Sequence, residues 1–403
     1  MPSLPRAIIH RKKVDVVKRF HPWIFSGAIA KMQGEVSDGD LVEAYSQDGE
    51  FLAIGLWGLG SIAIKVLSFE PVKTMEQLLR DRLQQAFQLR QRLGLINNPD
   101  TNCYRLINSE GDGLAGLIID VYGDTAVVQC HSLGIYRYRQ EIAEILKNIY
   151  NQHDSDRLRA VYDKSSSTLS RKSQMQSQDG LLLGEKSLEQ AEILEYGHRF
   201  IVDWEKGQKT GFFLDQRENR RLFGQYAKGK KVLNTFCYSG GFSVYAMRSG
   251  AKEVHSIDSS VKAMEWTDRN IAANCETTDQ SRHTSFTGDV FDFLKQVDQD
   301  YEAIVLDPPA FAKSLSARHA AMQAYKRLNL QALSKLKSGG LLFTFSCSQV
   351  VNVENFTGAV TAAAIESGRS IQVLHHLTHP ADHPTSIFHP EGSYLKGLVL
   401  SVN

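Results

Sequence analysis

The 403-residue sequence predicts an α/β protein whose C-terminal half is built on a mostly parallel sheet, preceded by a small β-barrel and a mixed α+β middle domain. Three patterns carry this reading. From about Lys230 onward, apolar runs of four to six residues alternate with helical segments, as in parallel βαβ units. Before Phe69, short apolar runs are punctuated by Gly34, Gly39, Gly49, Gly55, Gly58 and Gly60, the pattern of a small barrel of short strands. Between them, Leu78, Leu79, Leu83, Ala86, Phe87 and Arg90 share one face of a helix over 75–93. These patterns divide the chain at 1–71, 72–190 and 191–403, the last opening with a β-hairpin lead-in.

In the first segment, 41–45, 52–56 and 62–67 are the expected strands. After the helix at 75–93, the stretch 103–128 reads as strands separated by turns at Gly111-Asp112-Gly113 and Gly123-Asp124. A helix over 136–150 and a short strand at 160–163 follow. The stretch 165–180 is rich in Ser, Gln and Lys and reads as a mobile loop. In the C-terminal half, strands are expected at 231–234, 253–257, 283–286, 303–306 and 341–345. Helices are expected at 241–249, 260–274, 290–296, 317–336 and 353–367. Two final strands, 371–376 and 394–402, have no helix between them and predict an antiparallel pair at the sheet edge.

Composition narrows the function classes. Hydrophobic residues at 42% and charged residues at 23% are ordinary for a globular protein, and the length exceeds one common domain. No run approaches 18 apolar residues, so a membrane span is not expected, and the first twenty residues lack the apolar core of a secretory signal. Five cysteines (Cys103, Cys130, Cys237, Cys275 and Cys347) form no CxxC pair. Neither a disulfide framework nor a zinc knuckle is expected, no metal is called for, and a reducing cytoplasm fits. Net charge is +1, yet Arg6, Arg11, Lys12, Lys13, Lys18 and Arg19 crowd one segment with Asp15 the only acid among them. Such a cluster can neutralise phosphates, which makes Arg11, Lys12 and Lys13 candidate nucleic-acid contacts; a solvated basic face is the alternative.

The candidate site lies where parallel sheets bind ligands, at the C-terminal ends of the strands. The strand 231–234 runs into Thr235-Phe236-Cys237-Tyr238-Ser239-Gly240-Gly241-Phe242, which opens a helix. The paired glycines let backbone approach a ligand, and the spacing is not GxGxxG, so a ligand smaller than a dinucleotide is favoured. Alone, such a turn is equally a tight connection. Asp258 ends the second strand, placed to accept hydrogen bonds from ribose hydroxyls. Asp289 follows the third strand and is placed to accept from an adenine amino group. Asp307 ends the fourth, in Asp307-Pro308-Pro309-Ala310-Phe311. Each acid has a plainer reading as a helix cap.

With these motifs in place, the C-terminal half resembles the class I S-adenosylmethionine-dependent methyltransferases, a Rossmann-like fold with a seven-stranded sheet and a terminal antiparallel hairpin. Over its length the chain resembles the bacterial 23S ribosomal RNA cytosine-C5 methyltransferases, with a PUA domain, a mixed middle domain and a catalytic domain. The matching stretches are His21-Pro22-Trp23-Ile24-Phe25-Ser26-Gly27, Glu110-Gly111-Asp112-Gly113-Leu114, Lys209-Thr210-Gly211-Phe212-Phe213-Leu214-Asp215-Gln216-Arg217, Thr344-Phe345-Ser346-Cys347-Ser348 and Pro380-Ala381-Asp382-His383-Pro384. Ala115 stands where proline is usual. The resemblance implies S-adenosylmethionine as cofactor, held by Phe236, Tyr238, Ser239, Gly240, Asp258, Asp289, Asp307 and Gln216. It implies ribosomal RNA (23S) or a large-subunit assembly intermediate as partner, with a homodimer compatible.

It also implies a chemistry. Cytosine C5 is a poor nucleophile, and a thiolate adding to C6 raises the electron density on C5. Cys347, just past the strand 341–345, is the candidate nucleophile; a buried structural cysteine is the alternative. A free thiol titrates near ~8.5, so Cys347 would benefit from nearby positive charge. Asp307 would hold the cytosine edge and stabilise protonated N3. Pro308 stiffens that loop and Phe311 is placed either to stack on an extruded base or to join the core. Other RNA cytosine-C5 methyltransferases carry a second cysteine where this chain has Ala310, which leaves the base for the C5 proton unidentified.

The match places Gln216 and Arg217 over the cofactor and substrate cleft, with Lys209 as a further RNA contact, because Lys209-Thr210-Gly211 has no obvious packing role. The alternative is a helix start with Asp215 as cap and Arg217 exposed. Asp382 and His383 either line the substrate mouth or form a polar turn. Trp23 and Phe25 fit core packing of a small barrel better than base stacking. Rival functions are methylation of a purine nitrogen on the same fold, which needs no cysteine, and a non-catalytic RNA-binding assembly factor. A nicotinamide-dependent dehydrogenase is more remote, since the glycine spacing is wrong.

Overall fold

The computed structural model describes residues 4–153, 158–169, 177–185, 191–297 and 301–403. The chain divides into two compact units, one of Met1–Ile193, Val202–Leu214 and Ala381–Gly392, the other of Leu194–Ile201, Asp215–Pro380 and Ser393–Asn403.

In the first unit, a six-stranded sheet runs in the order Trp23–Phe25, Ile62–Ser68, Phe51–Trp57, Leu41–Tyr45, Arg6–Ile9, Ile29–Gln33. The apolar runs at 41–45, 52–56 and 62–67 supply three of these strands. Sequence patterning missed Arg6–Ile9, Trp23–Phe25 and Ile29–Gln33, each only three to five residues long. A five-stranded sheet follows, ordered Gly180–Leu183, Ala160–Asp163, Thr125–Cys130, Leu117–Tyr122, Cys103–Asn108. Of the loop expected at 165–180, residues 170–176 lie outside the described residues. The helix Met75–Arg92 starts at Thr74, whose side chain accepts from the Gln77 N–H, a cap that contributes about 1 kcal/mol. Its buried face is the predicted one, including Arg90, whose guanidinium meets both carboxylate oxygens of Asp112.

The second unit is organised by one seven-stranded sheet. Its strands are β1 (Lys231–Thr235), β2 (Glu253–Asp258), β3 (His283–Thr287), β4 (Tyr301–Leu306), β5 (Leu336–Ser346), β6 (Ile371–Leu377) and β7 (Lys396–Val402), in the spatial order β3-β2-β1-β4-β5-β7-β6. Pairing is parallel from β3 through to β5, β7 joins β5 antiparallel, and β6 joins β7 antiparallel. Strand β1 is buried on both faces from Val232 to Thr235, which is why it reads as a continuous run rather than an alternation. Strand β5 begins five residues earlier than the apolar pattern indicates: Leu336 pairs with Tyr301, and an irregularity absorbs the Gly339-Gly340 step. The strand order reverses between β1 and β4, so the loops leaving those two strands open side by side. The five predicted helices of the unit are present, and a further one, Arg217–Ala227, precedes β1.

Candidate active site

The loop leaving β1 is strained in a way that sequence alone does not reveal. Phe236 (φ 52°), Tyr238 (φ 49°) and Gly240 (φ 75°) all adopt left-handed backbone, and two of them are not glycine. Such backbone is costly unless its surroundings hold it, and it concentrates where ligands are clamped. The surroundings are polar and specific. The Tyr238 N–H donates to Asp258 Oδ2 at 3.0 Å, Thr267 Oγ1 donates to the Tyr238 carbonyl at 2.9 Å, and Asn270 Nδ2 donates to the Ser239 carbonyl at 2.8 Å. Thr267 and Asn270 are three residues apart on the helix Val261–Asn274, hence on one face. Close packing leaves no room for side chains: a Cβ on Gly240 would meet Thr267 Cγ2 at 2.7 Å, and one on Gly241 would meet Arg220 Cδ at 2.8 Å.

Asp258 is half-buried at the end of β2, and its other oxygen accepts from the Ser260 N–H. Asp289 is the N-cap of the helix Val290–Gln296, accepting from the Asp292 N–H at 3.0 Å, so its plainer reading is realised; its exposure leaves it open to a ligand as well.

Asp307 sits at the end of β4 in a built polar chain. Asn219 Nδ2 donates to Gln216 Oε1 at 2.6 Å, and Gln216 Nε2 donates to Asp307 Oδ1 at 2.9 Å. Gln216 and Asn219 are both buried, and with Arg220 they form one face of the helix Arg217–Ala227 and its first flanking residue. Burial pushes the Asp307 carboxyl up to about 7, the neighbouring Asp215 charge adds to this, and the Gln216 hydrogen bond and Arg220 oppose it. Arg220 itself is buried and pairs with both oxygens of Glu195 at 2.8 and 2.7 Å.

Cys347 follows β5 and is half-buried, with Sγ 3.9 Å from the Pro308 carbonyl oxygen. The two segments are stitched again one residue on, where Ser348 Oγ donates to the Ala312 carbonyl at 2.8 Å. The structure therefore brings Cys347 to the Asp307-Pro308 loop. Phe311 is half-buried with its ring 4.7 Å from that of Tyr325, and Pro308 is buried.

Other expectations need correction. Arg217 is 2% exposed, beside Glu218, and is neither the exposed residue of the plain reading nor placed to meet RNA directly. Asp215 does not cap that helix; its Oδ2 accepts from the Tyr394 hydroxyl at 2.7 Å. Thr210 does have a packing role, buried and bonded to Asp120 and Tyr122, whereas Lys209 is exposed. Asp382 and His383 are buried in the first unit: Asp382 Oδ2 accepts from the Arg105 N–H, and the Asp382 carbonyl accepts from Arg90. They are anchors rather than the lining of a mouth. Phe25 is 45% exposed rather than core, while Trp23 is half-buried and donates from Nε1 to Glu110. Arg11, Lys12 and Lys13 are exposed.

Sequence reasoning missed Asn219, Arg220, Thr267, Asn270 and Lys396. Only Lys396 carried a readable signal, a lone cation opening the apolar strand β7.

Comparison with known proteins identifies the family and the fold. A family profile described as S-adenosylmethionine-dependent methyltransferase matches residues 140–391, and one described as PUA-like domain matches residues 7–69. The chain is 39% identical over 388 residues to ribosomal RNA large subunit methyltransferase I of Aeromonas hydrophila, covering 95% of each chain. It is 35% identical over 402 residues to the protein of the same name from Escherichia coli, covering 98% of this chain and 99% of the other. A solved structure described as a methyltransferase complexed with SAH shares the fold with a TM-score of 0.84 at 24% identity, covering 98% of this chain and 99% of that one.

Proposed function

The chain belongs to the S-adenosylmethionine-dependent methyltransferase family, and we propose that it methylates C5 of a cytosine in 23S ribosomal RNA through a covalent Cys347 adduct. Two relatives named ribosomal RNA large subunit methyltransferase I, at 39% and 35% identity over nearly the whole chain, support the RNA class. The observation that carries the choice of atom is the placement of Cys347 at the end of β5, against the loop that begins with Asp307.

The left-handed loop after β1 fits the cofactor, since Gly240 and Gly241 admit backbone but no Cβ, and Asp258 stands at its rim. We assign Phe236, Tyr238, Ser239, Gly240, Asp258, Asp289, Asp307 and Gln216 to holding it. When bound, S-adenosylmethionine supplies an electrophilic methyl group on a sulfonium. Cys347 Sγ, as thiolate, forms a bond to C6 while the C5–C6 π pair moves onto C5. A carboxyl whose affinity for protons is raised to about 7 holds a proton to share with N3 as that charge develops, the part given to Asp307. After C5 is methylated and its proton is removed, the S–C6 bond breaks and its electron pair returns to sulfur. Pro308 stiffens the loop that faces the base and Phe311 flanks it. Arg11, Lys12, Lys13 and Lys209 are exposed cations available to phosphates.

The test is tritiated methyl donor with ribosomal RNA from cells lacking the protein. Label in 5-methylcytidine is expected, and Cys347→Ala should abolish it. Label on guanine or adenine, with the variant still active, would leave only fold and cofactor standing.

A further inference from the structure

A thiol that must ionise at neutral pH needs positive charge or dipoles nearby, and neither the Pro308 carbonyl nor Asp307 supplies it. Antiparallel pairing of β5 with β7 sets Lys396 opposite Ser346, the residue immediately before Cys347. The Lys396 side chain is 5% exposed. Its Nζ donates to the Ser348 carbonyl at 2.6 Å and to the Val351 carbonyl, so the ammonium lies inside the turn that Cys347 opens. Both acceptors are neutral carbonyls, so the buried cation is hydrogen-bonded without being neutralised by them. A buried lysine held this way is expensive to keep as a structural device alone.

We propose that Lys396 is a positioning residue for the Cys347 nucleophile: its ammonium holds the thiol in the thiolate form, and its two hydrogen bonds fix the turn that presents the sulfur. The inference rests on the reading of Cys347 given above. Electrostatics runs the same way. Burial lowers the Lys396 ammonium to about 8, and charge on Cys347 opposes that lowering. Coupling between two titrating sites is mutual, so the ammonium favours the thiolate to the same degree. Of the titratable groups near this sulfur, Tyr325 is pushed up by burial to about 12 and is therefore neutral, and Asp307, one residue before the Pro308 carbonyl that meets the sulfur, is pushed up to about 7. Both, when charged, oppose the thiolate. Lys396 is the group among these that favours it.

The experiment measures iodoacetamide alkylation of Cys347 as a function of pH, resolved by peptide mass spectrometry on the full chain without RNA. Wild type is compared with Lys396→Met, Lys396→Gln and Lys396→Arg, each checked by its melting curve. Gln keeps a hydrogen-bond donor and removes the charge; Arg keeps the charge. The expected result is a thiol titrating below the ordinary ~8.5 in wild type and Arg, with about tenfold slower alkylation at pH 7 in Gln and Met. Equal titration in wild type and a folded Gln variant would overturn the proposal. The outcome is separable from the underlying reading: methylation that survives Cys347→Ala defeats the nucleophile, whereas an unmoved thiol pKa with Cys347→Ala inactive defeats only Lys396.

Discussion

Asp307 is a carboxyl held in conflict. Burial and the nearby Asp215 favour its protonated form, while the Gln216 amide and Arg220 favour its charge. With the folded-state pKa raised from 3.8 to about 7, the folded protein binds this proton more tightly than the unfolded chain. Its contribution to stability is therefore fully present below about pH 4 and is lost as pH rises through 7. Asp307→Asn removes the ionisation, so the variant should gain melting temperature over wild type by more at pH 8 than at pH 5, while methylation falls at least a hundredfold. A melting-temperature difference that is the same at both pH values would contradict the assignment. At this scale the sequence was only partly legible. Asp258, Asp307 and Cys347 stood out because each ends a strand of a recognisable parallel sheet. Gln216, Asn219 and Arg220 act through burial and mutual hydrogen bonds, which no spacing announces, and the same burial removes Arg217 from the RNA contacts.

The element to which we assign the cofactor is the connection Phe236–Gly240, which joins β1 to the helix Gly241–Arg248. Its left-handed residues are held by Asp258 on one side and by Thr267 and Asn270 on the other. Gly240→Ala would place a methyl 2.7 Å from Thr267 Cγ2 and put an alanine at φ 75°. The expected cost is about 1–3 kcal/mol of stability, with at least tenfold weaker S-adenosylmethionine binding, read by thermal melting and calorimetric titration. Undiminished binding would show that the loop does not form the cofactor cradle. Strands and helices of this unit were readable because their apolar runs repeat at strand and helix lengths. The start of β5 was not, because Lys337 to Gly340 carry the composition of a turn; it is the flanking Leu336 and Leu341 that pair with β4, and Gly340 pairs with Val402 of β7.

At the scale of the whole molecule, the chain order does not follow the compact units. Residues 381–392 lie in the catalytic half of the sequence yet belong to the first unit, where Asp382 binds Arg105 and Arg90, and Gly111 approaches the Pro384 carbonyl too closely for any Cβ. That long-range pairing gives the family-matching Glu110-Gly111-Asp112-Gly113 turn a structural role, with Gly111 packed against Pro384 and Asp112 bound by Arg90. The basic segment behaves differently, with Arg11, Lys12 and Lys13 exposed in a single helical turn. Replacing all three by alanine should leave S-adenosylmethionine affinity unchanged and weaken RNA binding. The dependence of log K on log salt should flatten by roughly 0.7 for each phosphate no longer neutralised. An unchanged salt slope would make this segment an ordinary solvated face.

The covalent step is the centre of this account, and trapping it is the most direct measurement. Ribosomal RNA transcribed with 5-fluorocytidine carries a fluorine that cannot leave C5 as a cation, so the S–C6 bond cannot be released after methylation. Wild type with S-adenosylmethionine should form a protein–RNA complex that survives denaturing electrophoresis, with the crosslink mapped to Cys347 and absent in Cys347→Ala. Methylation of unmodified RNA at full rate without any trapped complex, or trapping that persists in the variant, would contradict it.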